Sequence, residues 1–600
     1  MRLLPALTYC AALLAAPVAT LASPLTTIAE QSGFTRTGRH AEVDALCTAF
    51  AKRYPQWVKC ERFGTTPEGR AMHLLVVSQS GALTPEPARQ RKLPVTLVQG
   101  GIHAGEIDGK DAGFWALRDL LDGKLLPGAL KQQVLLFVPI FNVDGHERFG
   151  RWNRPNQRGP EEMGWRTTAQ NFNLNREYMK ADAPEMRAML KLVNTWDPLA
   201  VIDLHVTNGA QFEHDIGIMV QPANAGDEAL QKAGTAFRDA VVSHLGRNGS
   251  LPLPFYPAFI EGDNPASGIR EGVPPPRLSH GYFWLRNRFG MLVETHSWKD
   301  YPTRVKATRE VIVSVLDQMA THGSQWRRLA EAADARSASL AGRPVALTYR
   351  NTPASREIEF RGYAYTRTPS EVSGALMTRY DDTKPELWRL KLFDQVEPAL
   401  VVTAPAAGYV VPPQHSERVA RWLDAHGVKY SRVKQAGAAR RMETFRATKV
   451  TPSSRTAENR QRMALEGEWK PETRAIPAGS LYVPIDQPAA RLAMSILEPR
   501  APDSMAAWGE FNIAFEPREY MEPYVAEAVA REMMAKDPAL ASAFQKRLAE
   551  DPEFAKSPAA RLDYFYRLHP SWDADLNLYP VFRVAAPPVE RSASARPAGK

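Results

Sequence analysis

Apolar residues along this chain fall into two textures. In the first, short continuous apolar runs alternate with segments of helical period. "PVTLVQG" is followed by "DGKDAGFWALRDLLDG", and "QQVLLFVPIFN" by a long polar loop reaching Glu177. A helix over 183–195 precedes "PLAVIDLHV", and "GMLVETHS" precedes another over 304–318. Apolar runs without polar alternation belong to strands covered on both faces. The pattern therefore predicts an α/β unit around a central mixed, mostly parallel sheet flanked by helices. A helix over 41–53 and the strand-like "WVKCERFG" lead into it, and its limits are read as 23–335.

The second texture begins after "ARSASLAGRP", where short alternating runs such as "REIEFRGYAY", "ALVVTAP" and "SLYVPI" dominate. With one helix over 416–426 ended by Gly427, this predicts a smaller β-rich or mixed domain at 340–500. Helical period returns in 518–570, most clearly in "MEPYVAEAVAREMMAKD", so 501–585 is read as a helical C-terminal segment. The small, polar, basic "VERSASARPAGK" marks 586–600 as a disordered tail. No internal repeat is visible.

Composition adds two constraints. Six hundred residues exceed what one compact core organises, which agrees with several domains. The net charge of +9 comes from basic residues scattered along the chain, without the dense Lys/Arg tracts interleaved with aromatics that nucleic-acid binding requires, so no nucleic-acid partner is expected. The first residues, "MRLLPALTYCAALLAAPVATLAS", carry one positive charge, a proline-broken apolar run and a small-residue end. They read as a signal peptide over 1–22, placing the mature chain outside the cytoplasm, secreted or periplasmic. No later run is long enough for a membrane span. Cys10 leaves with the signal, and the remaining pair, Cys47 and Cys60, is expected to form a disulfide in an oxidising compartment.

The candidate chemistry lies just past strand ends. In "VQGGIHAGEIDGKD", His103 and Glu106 stand three apart behind an apolar strand; His205 closes "AVIDLH" and Glu294 closes "MLVE". Reactive groups of α/β sheets gather outside the carboxyl ends of strands, so these four can converge. Two imidazoles and one carboxylate suit one zinc ion with a position left for water. Glu294 has the chemistry of a general base. The glycines of "GEIDGKD" are too closely spaced for a phosphate loop, and neither a G-x-S-x-G elbow nor an H-E-x-x-H helix occurs.

In this order and spacing, "HAGE", "DLH" and "LVETHS" resemble the zinc metallocarboxypeptidases of the carboxypeptidase A-like (funnelin) group, long bacterial members included. The match spans roughly residues 35–320 and includes "GWRTTAQNFNLNREY". The resemblance implies a carboxypeptidase-like fold and proteolysis of a peptide or peptide-like substrate with a free carboxylate. It implies zinc on His103, Glu106 and His205, and Glu294 as base then acid. It also implies Arg166 as oxyanion support and Asn175 and Arg176 as the grip on the terminal carboxylate. Tyr282 is a candidate stand-in for the family's substrate-capping tyrosine, with a packed aromatic as the preferred reading.

The chain departs from the pattern in two places. Gly105 stands where the family carries an arginine, and Asn173 where an acidic residue supports a zinc histidine; Asp203 is a candidate replacement. His146 reads as a loop residue, His214 and His280 as surface residues with a place at the pocket border as the alternative, and His296 as either orienting Glu294 or packing. Two other readings stay open: a zinc amidohydrolase, deacylase or murein peptidase on the same fold, and a non-catalytic module that binds peptide ends.

Overall fold

The structure is a computed structural model that describes residues 25–588. The expected signal lies outside the described residues, as do residues 589–600 of the expected tail. Eight strands form the central sheet: β1 (Val58–Thr65), β2 (Ala71–Val77), β3 (Val95–Gly100), β4 (Val134–Val138), β5 (Ala200–Thr207), β6 (Ile216–Gln221), β7 (Pro252–Leu253) and β9 (Phe289–His296). The two-residue β8 (Ile269–Arg270) lies outside it. The order is β1-β2-β4-β3-β5-β9-β6-β7. β3 runs parallel to β4 and β5, and β5 parallel to β9, while β1, β2 and β6 pair antiparallel. The sheet is mixed, as the run pattern predicts.

Every residue of β3, β4, β5, β6 and β9 is buried, which is why these segments carry no polar alternation. The helix Tyr301–Ser337 packs against helices Asp108–Leu121 and Glu228–Arg247, and the helix Pro184–Trp196 packs against β1. The first of these is longer than the expected 304–318: Asp300 caps its start by accepting from the Thr303 N–H, and buried positions recur as far as Ser337. Cys47 and Cys60 are disulfide-bonded, tying the helix His40–Arg53 to β1.

Buried charge explains the "GKD" of the rejected phosphate loop. Lys110 pairs with Glu42 and with Asp111 at 2.7 Å, and Asp111 also accepts from Thr37 and Tyr301. Asp108 accepts from Arg304 at 3.0 Å and from Thr295 at 2.7 Å. Breaking any one pair strands a buried charge, so the network fixes the helix that follows His103 and Glu106.

The C-terminal half contains β10 (Pro344–Asn351), β11 (Arg356–Pro369), β12 (Leu376–Phe393), β13 (Val396–Thr403) and β14 (Gly408–Val411). β15 (Ser431–Arg432), β16 (Gly437–Pro452), β17 (Met463–Ile476), β18 (Leu481–Pro484) and β19 (Phe582–Val584) follow. β11–β12 and β16–β17 are long antiparallel hairpins. The segment expected to be helical is so at Pro523–Lys536, Pro538–Glu550 and Pro558–Tyr566, but it ends in β19, which pairs with β14 and β16. Phe582 and Val584 lie in an apolar cluster with Val410, Met442 and Ile476, and so short a strand leaves no readable period.

The two halves share packing. β12 adds in parallel to β8, and Phe212, Leu253, Phe255 and Ile269 form one apolar cluster with Phe360, Trp388, Leu390 and Leu392. Among the described residues no helix is long and apolar enough to cross a membrane.

Candidate metal centre

Parallel register assembles the site. β3 ends at Gly100, Gly101 turns the chain at φ +63°, and the loop that follows presents His103 and Glu106 before the helix Asp108–Leu121. On the neighbouring strands His205 pairs directly with Glu294. Three strands therefore deliver four side chains to one edge of the sheet.

The ligating atoms of His103, Glu106 and His205 all lie within 4.8 Å of one another, and all three residues are buried. Glu106 is the hub. Its Oε1 lies 3.0 Å from His103 Nδ1, 2.8 Å from Arg154 Nη2 and 3.3 Å from Arg166 Nη1. Its Oε2 lies 3.0 Å from His205 Nδ1 and accepts the Val206 N–H at 3.0 Å. Burial opposes ionisation of Glu106, but His103 and Arg154 outweigh it and hold the carboxyl well below its usual range. Both histidines turn Nδ1 toward Glu106 and Nε2 away, to Asn173 Oδ1 at 3.1 Å and to Asp203 Oδ2 at 2.7 Å. Outer acceptors of this kind set which nitrogen is free to ligate. Two imidazole nitrogens and a carboxylate oxygen, close, buried and oriented, fit a zinc ion with an open position.

Glu294 lies on the wall of the same cavity, which has a volume of about 290 Å³. Burial pushes its carboxyl up to about 8; His205 draws it down, while Glu106 and Asp203 add repulsion. Arg166, Asn175 and Arg176 line this cavity as well. The Asn175 side chain is held by accepting the Ser279 N–H at 2.9 Å, and Arg176 donates to the Asn175 carbonyl at 2.7 Å. Burial lowers the Arg176 pKa, with Arg166 and Arg277 adding like charge, so this end of the cavity favours an anionic guest.

Tyr282 is not part of the cavity. It is wholly buried, with its hydroxyl 2.8 Å from His426 Nδ1, so the packed-aromatic reading replaces the capping one. Tyr256 lines the cavity instead, its hydroxyl 2.9 Å from Thr207 Oγ1. The proline-flanked aromatic run "PFYPAF" is the only trace of it in the sequence.

Arg154 is another residue that no sequence pattern marks. A Cβ on Gly105 would stand 2.5 Å from the Gly164 carbonyl and 2.6 Å from Arg154 Cγ, so the Arg154 side chain fills the space beside residue 105 and brings its guanidinium to Glu106. For the remaining histidines the structure decides between the readings. His146 and His214 are buried, and His280 lines the cavity. His296 stacks on Phe212 at 3.9 Å and accepts the Phe212 N–H, which is the packing role.

Residues 43–215, which carry every one of these side chains up to His205, match the family model of the zinc carboxypeptidases. The resemblance to the zinc carboxypeptidases is borne out. Carboxypeptidase 2 of Trichophyton tonsurans is 24% identical over 465 residues, covering 74% of this chain and 79% of the relative. Carboxypeptidase 2 of Trichophyton rubrum is 24% identical over 476 residues, covering 76% and 81%. Among solved structures, the carboxypeptidase A of Helicoverpa armigera is 15% identical, covering 49% of this chain and 75% of that one with a TM-score of 0.37. The metallo-carboxypeptidase of Burkholderia cenocepacia is 17% identical, covering 47% and 69%, with a TM-score of 0.34. The family and its curated relatives support a metallocarboxypeptidase hydrolase.

Proposed function

We propose that this chain is a secreted or periplasmic zinc metallocarboxypeptidase that removes the C-terminal residue of peptides. The observation that carries the reading is the convergence of His103, Glu106 and His205 with Glu294 and with Arg166, Asn175 and Arg176 around one cavity. His103, Glu106 and His205 would hold the zinc. When bound, that ion supplies a Lewis acid that polarises the scissile carbonyl and makes water acidic enough to attack near neutral pH.

The side chains divide the remaining work. Arg176 and Asn175 bind the substrate's terminal carboxylate, for which a guanidinium fork is the matching shape. That contact sets which peptide bond reaches the centre. Glu294 takes a proton from the attacking water and returns it to the departing amine. Arg166 donates to the oxygen on which negative charge develops. The division into a catalytic unit at 23–335, a β-rich unit at 340–500 and a C-terminal segment is part of the same proposal.

The test uses zinc-loaded mature protein, a peptide with a free C-terminus and the same peptide amidated. Release of the last residue is expected from the free peptide alone. The Glu294→Gln variant is expected to lose a factor of about 10² to 10⁴ in turnover while its zinc content stays unchanged. Turnover that survives both a chelator and Glu294→Gln would sink the reading.

A further inference from the structure

Away from the cavity, a second pair of imidazoles faces a single carboxylate. His40 and Asp44 stand one turn apart on one face of the helix His40–Arg53, and His73 belongs to β2. Asp44 Oδ2 lies 3.4 Å from His40 Nδ1, while Asp44 Oδ1 meets His73 Nε2. The two rings stack with centroids 5.5 Å apart. One ligating atom from each of the three residues falls within the same 4.8 Å that gathers His103, Glu106 and His205. In the sheet β4 and β3 lie between β2 and β5, and this group shares no strand or helix with the catalytic centre.

The hydrogen bonds around the group call for a cation. His40 Nε2 lies 2.8 Å from the Ala71 carbonyl, which can only accept. In the neutral ring the proton therefore sits on Nε2, and the lone pair of Nδ1 faces the Asp44 carboxylate. Two acceptors in that position repel unless positive charge stands between them. His73 is held at Nε2 by Asp44, and its Nδ1 is buried without a hydrogen-bond partner. Among the described residues no lysine or arginine forms an ion pair with Asp44. Arg62, opposite His73 in register on β1, turns along its own strand to the Gly64 carbonyl at 3.2 Å.

We propose that His40, Asp44 and His73 form a second metal site, which takes a divalent transition ion of the zinc class and acts as a clasp. Two imidazole nitrogens and one carboxylate oxygen suit zinc or copper rather than calcium or magnesium, which take oxygen ligands. The Asp44 side chain is 50% exposed, so one side stays open for the ion to enter and for water to complete its shell. Because the two histidines belong to different elements, the ion joins the start of the helix to β2. Two turns further on, the Cys47–Cys60 disulfide joins the same helix to β1. Between them stands Glu42, which pairs with Lys110 of the buried network behind His103 and Glu106. The clasp thus secures a helix on which that network depends, and the inference does not rest on the carboxypeptidase reading.

Metal content of the full chain, dialysed against micromolar free zinc, tests it. Two ions per chain are expected. Asp44→Asn, His40→Gln and His73→Gln are each expected to hold one and to keep their peptide turnover. His205→Ala, altered in the catalytic centre, is expected to keep the ion of the clasp. A single ion in the unaltered chain, a second ion bound only at millimolar zinc, or two ions in all three clasp variants overturns the proposal. So does a His205→Ala chain that holds none. Loss of an ion in the clasp variants with none lost in His205→Ala supports the clasp and counts against the catalytic zinc. Thermal unfolding guards against variants that merely misfold. Zinc added beyond the first equivalent is expected to raise the midpoint of the unaltered chain by about 2 °C or more and to leave Asp44→Asn unmoved. Equal shifts in the two chains overturn the proposal.

Discussion

His205 Nε2 lies 2.7 Å from Asp203 Oδ2, two residues back along β5, while Nδ1 of the same ring lies 3.0 Å from Glu106 Oε2. Alternation along the strand puts both side chains on one face, so a single segment supplies a ring and the acceptor that orients it. Burial opposes charge on His205, but Asp203 outweighs it and raises the imidazole well above its usual pKa. The other histidine of the set has a neutral acceptor, Asn173, and burial lowers its pKa to about 4.

Asp203 is therefore expected to matter more than Asn173 to metal affinity. Asp203→Asn should weaken zinc binding by a factor of about 10 to 100, read by competition with a chelator of known affinity. Affinity equal to that of the unaltered chain would show that the pair does not orient the ring.

Gly105 has a steric role that substitution exposes. In Gly105→Ala the new methyl would meet the Gly164 carbonyl at 2.5 Å, and backbone cannot yield as a side chain can. A loss of about 1–3 kcal/mol is expected on denaturant unfolding. Introducing an arginine there, as in the family pattern, should fare worse because Arg154 already fills the space. A fully stable Gly105→Arg variant would contradict this packing.

Acid should destabilise the fold through histidines buried in neutral form. Burial pushes His146 and His426 down to about 4, against an ordinary value of 6.5. The unfolded chain then binds protons that the folded chain refuses. Each group contributes stability that is complete above pH 6.5 and lost as pH falls toward 4, about 3 kcal/mol per group. His426 is the clearer probe, since it joins the two halves through Tyr282 Oη at 2.8 Å and the Met179 carbonyl at 2.9 Å. Unfolding midpoints measured from pH 7.5 to 4 should fall, and fall less steeply in His426→Gln. Parallel profiles for the two chains would exclude His426 as a source.

The central sheet is legible in the sequence because its strands are buried on both faces, and "VTLVQG" or "AVIDLH" has no other stable use. The meeting of His103, Glu106, His205 and Glu294 is legible for a related reason. Each closes or follows such a strand, and parallel strands end at a common edge. Arg154 and Tyr256 lie in irregular segments that have no period, so nothing in their spacing marks them. Tyr282 fails for the opposite reason. An aromatic near the right place in the chain looks the same whether it faces a cavity or, as here, a buried histidine.

By itself, then, the sequence determined which strands are central and which side chains stand at their ends. Those outcomes follow from local burial pattern and from residue chemistry. Only the tertiary structure decided that Arg154 stands in for a side chain at 105 and that β19 completes a sheet begun far earlier in the chain. Each of these depends on contacts between segments remote in sequence, where excluded volume and hydrogen-bond partners decide the outcome and no local pattern records it.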